Sequence, residues 1–146
     1  SKGVVSTADL TVYDKFVTDL AKKAGIGGTW KVLAASTSVD AKKHAGTDPK
    51  TAKYIPVYLI DGKTIVANNY EDLWGRDGNV INRTETGKVL TEGLVATGAA
   101  PWVFGRGKGA IVGNLAKGPE KWWKWKRFGD GHLYAISEVL HVTSKK

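Results

Sequence analysis

The clearest period in the chain lies near its start. Val12, Phe16 and Leu20 recur at four-residue spacing with Tyr13 and Val17 beside them, while Asp14, Lys15, Asp19, Lys22 and Lys23 fall mostly on the other side. That pattern predicts an amphipathic helix with one apolar stripe. Thr11 is placed to accept a hydrogen bond from an orphan backbone N–H at its start, and Asp14 lies near the positive end of the helix dipole. Gly25 ends the helix, because glycine takes the left-handed conformation without steric cost. After a second break at Gly27-Gly28, residues 29–35 read as a strand. Residues 36–45 suit a short helix capped by Ser36 or Ser38, and residues 47–53 form a polar loop. Residues 54–60 and 63–67, apolar and β-branched around Asp61-Gly62, predict a hairpin. Residues 70–74 form a short turn or helix. From Gly75 onward short strands alternate with glycine turns, and residues 132–140 make a final strand. Residues 1–8 read as an extended N-terminal arm containing Val4 and Val5. With 146 residues and no repeat or linker, the pattern fits a single domain over 1–146.

Composition sharpens this outline. Six Trp, five Tyr and three Phe supply large apolar surfaces, and 18 Gly against four Pro point to many turns. A loop-rich α+β domain is the expectation. The net charge of +8 either keeps the protein soluble or prepares it for an acidic partner. No run of five or six like charges concentrates it. The chain has no Cys, which excludes disulfides, zinc–thiolate centres and thiol nucleophiles. It also has no Met, which implies either a removed initiator, which a Ser at position 1 fits, or a processed product. No apolar run reaches the roughly 18 residues that a membrane-spanning helix needs, so membrane insertion is not expected.

Candidate chemistry is sparse. His44, His132 and His141 lack a ligand spacing, and His132 reads as structural. Asp72, Asp77 and Asn79 surround a Gly-Arg-Asp-Gly loop, where Asp and Asn serve as turn residues before they serve as cation ligands. No serine elbow and no phosphate-binding loop is present, so no catalytic residue, metal or cofactor is expected and the chain reads as non-enzymatic. Gly105 to Gly109 carries Arg106 and Lys108 in a flexible basic loop. Lys121, Trp123, Lys124, Trp125, Lys126 and Arg127 belong to a stretch alternating Trp with basic residues. In an extended chain Trp123, Trp125 and Arg127 share one face, opposite Lys124, Lys126 and Phe128. Exposed indoles stack on sugars or bases, and the cations neutralise acidic groups. Two of the stretch's three Trp are expected to complete the core instead, under Lys and Arg stems. With Arg106, Lys108 and Lys117, these cations define a candidate polyanion- or partner-binding patch. Trp30, Trp74, Tyr58 and Tyr70 are expected in or near the core. Asn82-Arg-Thr84 matches a glycosylation acceptor, which matters only in a eukaryotic secretory route.

Several segments resemble the endostatin-like branch of the C-type-lectin-like proteins found in bacteria and phages. They are Ala24-Gly-Ile-Gly-Gly-Thr-Trp-Lys31 with Ser36-Thr-Ser-Val-Asp-Ala41, Pro56-Val-Tyr58, Asp61-Gly-Lys-Thr-Ile-Val-Ala-Asn-Asn-Tyr-Glu-Asp-Leu-Trp74, Ile81-Asn82, Thr84-Glu-Thr-Gly87 and His132-Leu-Tyr134. The resemblance rests on their order and spacing, from the first helix to the last strand. It implies helices packed on small antiparallel sheets, chain ends meeting in one sheet, and a long loop region that carries binding. The calcium-binding triplets of sugar-binding relatives, Glu-Pro-Asn or Gln-Pro-Asp and Trp-Asn-Asp, are absent. Relatives commonly place a Cys in the first helix and another in the last strand, at positions that look like Phe16 and Ala135 here. A large residue against a small one is the expected substitute. Each lost bridge removes about 2–4 kcal/mol that packing must replace.

A cysteine-free variant of a commonly disulfide-bonded fold fits folding in a reducing cytoplasm. Virion proteins fold there and act outside. The resemblance therefore implies a virion structural or decoration protein, on a capsid surface or tail fibre, with protein partners in a particle or in a homo-oligomer. Val4 and Val5 are the candidate assembly arm, adding an edge strand to a neighbour. The alternative is a glycan- or polyanion-binding module of a secreted or cell-surface protein. Nucleic acid is not an expected partner.

Overall fold

The computed structural model describes residues 2–3, 9–35, 39–51, 54–75, 79–92, 94–96, 112–114 and 131–141. In chain order the elements are β1 (Lys2–Gly3), α1 (Leu10–Lys23), β2 (Trp30–Val32), α2 (Ala41–His44), β3 (Val57–Tyr58), β4 (Ile65–Ala67), α3 (Tyr70–Trp74), β5 (Leu94–Ala96), β6 (Val112–Asn114), β7 (Gly131–His132) and β8 (Ala135–Ser137). The architecture is α+β. Two antiparallel pairs, β2–β8 and β3–β4, stand beside a four-stranded sheet of order β1-β7-β5-β6. In that sheet β5 runs parallel to β7 and antiparallel to β6. Near the two ends of the chain, Lys2 pairs with His132 and Gly3 with Gly131. The expected last strand is split: β7 and β8 belong to different sheets, and Leu133 and Tyr134 carry the chain between them.

Residues 32–35 explain the arrangement of the core. Val32, Leu33, Ala34 and Ala35 are all buried, from 0% to 2% exposed. Side chains alternate across an extended backbone, so such a run is buried on both faces. Val32 and Ala34 pack with Leu10, Tyr13, Val17 and Leu133 under α1. Leu33 and Ala35 face a larger cluster of Ala41, Leu59, Val66, Ala67, Tyr70, Leu73, Val95 and Tyr134. Strand β8 obeys the same alternation, with Ala135 on the α1 side and Ile136 on the other. The β2–β8 register joins Trp30 to Ser137, Lys31 to Ile136 and Val32 to Ala135, and the Leu33 amide extends it by donating to the Tyr134 carbonyl at 2.8 Å. This double segment is a wall with a core on each side. Burial pushes the phenols of Tyr70 and Tyr134 above their ordinary range.

The first helix forms where expected but buries a different stripe. Leu10, Tyr13, Val17 and Ala21 point inward, while Val12 is 55% and Phe16 38% exposed. Both stripes satisfy a 3.6-residue period, so the period alone does not choose between them. Tyr13 and Val17 are buried in the smaller cluster, against which Ala135 of the final strand packs, and Phe16 belongs to neither core cluster. The expected pairing of Phe16 with Ala135 is corrected accordingly. The cap is also displaced: Asp9, not Thr11, accepts from the Thr11 amide at 3.0 Å. At the other end Gly25, at φ +76°, donates to the Lys22 carbonyl, and Ile26 donates to Ala21. These two hydrogen bonds close the helix in the left-handed glycine motif.

The other elements follow local chemistry. Asp40, rather than Ser36 or Ser38, caps α2 through the Lys42 amide at 2.8 Å, and Asn69 caps α3 through the Asp72 amide. The expected hairpin is β3–β4, with a connection longer than two residues. Asp61 organises it by accepting from the amides of Lys63 and Thr64 and from the Thr64 hydroxyl. Ile55, Val57 and Leu59 turn inward and Tyr54, Pro56, Tyr58 and Ile60 outward, so Tyr58 is 47% exposed and not a core residue. Trp30 and Trp74 pack at the edges of the two cores, and Tyr70 lies within one. Thr84 to Gly87 is a turn, closed by the Thr84 amide to Lys88 and the Gly87 amide to Thr84. No helix among the described residues is long and apolar enough to cross a membrane.

The displaced stripe has a direct test. Tyr13→Ala should cost about 3 kcal/mol, and Phe16→Ala less than about 1 kcal/mol, in urea unfolding. A larger loss at Phe16 would contradict the packing.

Candidate functional site

Two places concentrate polar chemistry among the described residues. The first is the open edge of β2. Its other edge is taken by β8, so the Trp30 N–H and C=O and the Val32 N–H need partners elsewhere. Helix α1 provides them from one line of its surface. The Thr18 hydroxyl accepts from the Trp30 amide at 3.1 Å and donates to the Trp30 carbonyl at 3.0 Å. One turn earlier, Asp14 Oδ1 accepts from the Val32 amide at 2.8 Å. The spacing works because residues four apart share a helix face and residues two apart share a strand edge. The same Asp14 oxygen lies 2.8 Å from His44 Nε2, which ties in α2 as well. Both side chains are largely covered, at 18% and 12% exposure. Asp14 therefore joins three elements, where the sequence suggested only an interaction with its own helix dipole.

The second place is an open cleft of about 520 Å³ between α2 and α3, lined by Lys42, Pro49, Lys50, Glu71, Trp74 and Gly75. Its geometry begins at the end of α2. Gly46 adopts φ +68° and donates to Lys43, and the Thr47 amide donates to Lys42. This motif turns Thr47 inward to 1% exposure. The buried Thr47 hydroxyl accepts the Trp74 indole N–H at 2.9 Å, which sets the plane of the ring. The Lys42 ammonium stands 5.9 Å from the ring centroid, near the outer limit of a cation–π attraction. Lys50 is carried by a turn that Asp48 braces through the Lys50 and Thr51 amides and the Thr51 hydroxyl. Gly75 closes α3 by donating to Glu71 at 2.8 Å, and a Cβ there would lie 3.1 Å from that same carbonyl.

The residues singled out in the sequence fall elsewhere. Val4 and Val5, Arg106 and Lys108, and Lys121, Trp123, Lys124, Trp125, Lys126 and Arg127 all lie outside the described residues, as do Lys117 and Asp77. Asn79 bonds the β4 edge, its amide donating to the Val66 carbonyl at 2.7 Å and its side chain to Ile65. Lys42, Lys50 and Glu71 had no signal of their own in the sequence. The available clue was the Tyr-x-x-x-Trp-Gly pattern at 70–75, which places an aromatic at the end of a short helix. No family model and no curated protein matches the chain.

Two outcomes follow. Asp14→Ala strands the Val32 amide in the core and should cost about 1–3 kcal/mol, while Asp14→Asn, which keeps an oxygen acceptor, should cost less, both read by urea unfolding. Asp61 is held down at about 2 by the Thr64 hydroxyl first and then by the Thr64 and Lys63 amides. Its support for the hairpin turn is complete above the ordinary 3.8 and is lost as pH falls through about 2. The Lys63 and Thr64 amide resonances should therefore titrate with a midpoint near 2.

Proposed function

We propose that the chain is a non-enzymatic binding or assembly domain of the endostatin-like, C-type-lectin-like kind, serving as a structural or decoration protein of a virus particle. The observation that carries this reading is the closure of α1 over the β2–β8 pair by apolar packing and by Asp14 and Thr18, in a chain with no cysteine. A protein closed in this way needs no oxidising compartment, which suits folding in a cytoplasm before release. The two-sided wall, the small antiparallel pairs and the pairing of β1 with β7 are compatible with the fold family that the sequence resembles.

A net charge of +8 and the two lysines of the α2–α3 cleft favour a second reading, a glycan- or polyanion-binding module of a secreted or cell-surface protein. The two readings part in a density gradient of material from the source cells. The first expects the chain to co-sediment with particles, and its recovery entirely at the density of free protein would end that reading. The second expects retention on heparin that weakens with salt and is lost when Lys124, Lys126 and Arg127 are replaced by Ala.

A further inference from the structure

We propose that the open edge of β8 pairs with the same edge of a second copy of this chain, joining two β2–β8 pairs into one continuous antiparallel sheet. This inference stands apart from the particle reading and does not need it.

Backbone direction identifies the edge. The Leu33 amide donates to the Tyr134 carbonyl at 2.8 Å, and the Glu138 amide donates to the Thr29 carbonyl at 3.1 Å. Backbone groups alternate along a strand, so Tyr134, Ile136 and Glu138 face β2, while the N–H and C=O of Ala135 and Ser137 face away from it. Among the described residues β8 has β2 as its one strand neighbour, and no hydrogen bond reaches the Ala135 or Ser137 backbone from the outer side. The far edge of the same sheet is closed, because Thr18 and Asp14 bond Trp30 and Val32 from α1. Each copy therefore offers one edge of this sheet, and pairing through it stops at two copies instead of growing into a fibre.

The segment that follows β8 fits a copy of itself. Val139 and Leu140 are 45% and 69% exposed, two large apolar side chains directly beyond the strand. The Glu138–Thr29 bond carries the strand direction into this segment. A two-fold axis through Ser137 sets each Ser137 opposite its counterpart. It also sets Ala135 opposite the second copy's Val139, Ile136 opposite its Glu138 and Tyr134 opposite its Leu140. In this register the outward N–H and C=O groups of Ala135, Ser137 and Val139 all meet partners. Val139 comes to lie beside the small Ala135, and Leu140 reaches the rim of the core at Tyr134, so both are withdrawn from water. Glu138 faces an isoleucine. An axis one residue later would set Glu138 against Glu138, where like charges oppose each other. The strand is short, so the interface is smaller than the roughly 800 Å² per partner of a standard complex, and a dissociation constant of about 10–100 μM is expected.

Sedimentation equilibrium of the full chain between about 1 μM and about 1 mM should show a monomer–dimer equilibrium. Over the same range, hydrogen exchange at the Ala135 and Ser137 amides, followed by nuclear magnetic resonance, should slow as the dimer fills. Val139 is exposed, so Val139→Lys leaves the urea midpoint of the dilute monomer unchanged and should weaken association at least about tenfold. The chain has no Cys, so Ser137→Cys introduces a single thiol. Across the axis the two Cα atoms lie about 5.5 Å apart, within the roughly 4.4–6.8 Å that a disulfide spans. In oxidising glutathione this variant should cross-link much faster than Lys43→Cys, an exposed control on α2. The proposal is overturned if the chain stays monomeric up to about 1 mM, even where a different polypeptide added to the edge protects those amides. It is equally overturned if Val139→Lys dimerises unchanged or if Lys43→Cys cross-links as fast. A chain that dimerises in this way yet sediments apart from particles ends the particle reading alone.

Discussion

The edge of β2 is the constraint on which the molecule depends. A strand in a two-stranded sheet leaves one row of backbone groups unpaired, and here that row lies against a buried core. Asp14 and Thr18 satisfy it from a helix, in place of a third strand. Packing and hydrogen bonding then act together: the side chains that place α1 over Val32 and Ala34 also bring its polar line onto the strand edge. Each hydrogen bond is modest by itself, worth about 1 kcal/mol net. Their concentration on one strand fixes the helix in register, which apolar contact alone does not do.

From that edge the structure spreads in both directions. The four consecutive apolar residues 32–35 pass alternate side chains to the two cores. His44 carries the Asp14 anchor into α2, whose C-terminal glycine motif buries Thr47, and Thr47 orients Trp74. The cleft is thus built at the end of a continuous chain of contacts that begins at the first helix. It lies on the opposite side of α2 from the anchor, because Lys42 and His44, two residues apart, project from different faces of the helix.

Local signals were readable where they rest on one short segment. The first helix, its stop at Gly25, the hairpin around Asp61 and the aromatic helix at 70–74 all follow from spacing and turn chemistry. The choice of buried stripe on α1 was not readable, because Val12-Phe16-Leu20 and Tyr13-Val17-Ala21 share the helical period and differ only in what they meet. The displacement of caps from Thr11 to Asp9 and from Ser36 or Ser38 to Asp40 has a related cause. Ser, Thr and Asp are comparable as caps, and the helix start is set by where the first core residue falls, Leu10 in one case and Ala41 in the other.

Sequence alone specifies the α+β class, the absence of sulfur chemistry and the positive charge, since these depend on composition and on neighbours a few residues apart. It does not specify that Asp14 bonds a strand and a second helix, or that Lys42 and Lys50 meet Glu71 and Trp74. Those partners are 18 to 30 positions apart in the first case and reach each other in the second only through two short helices packed on a common core. Distance along the chain carries no record of such meetings; they arise when burying the apolar run at 32–35 on both faces leaves one way to fold the polar groups around it.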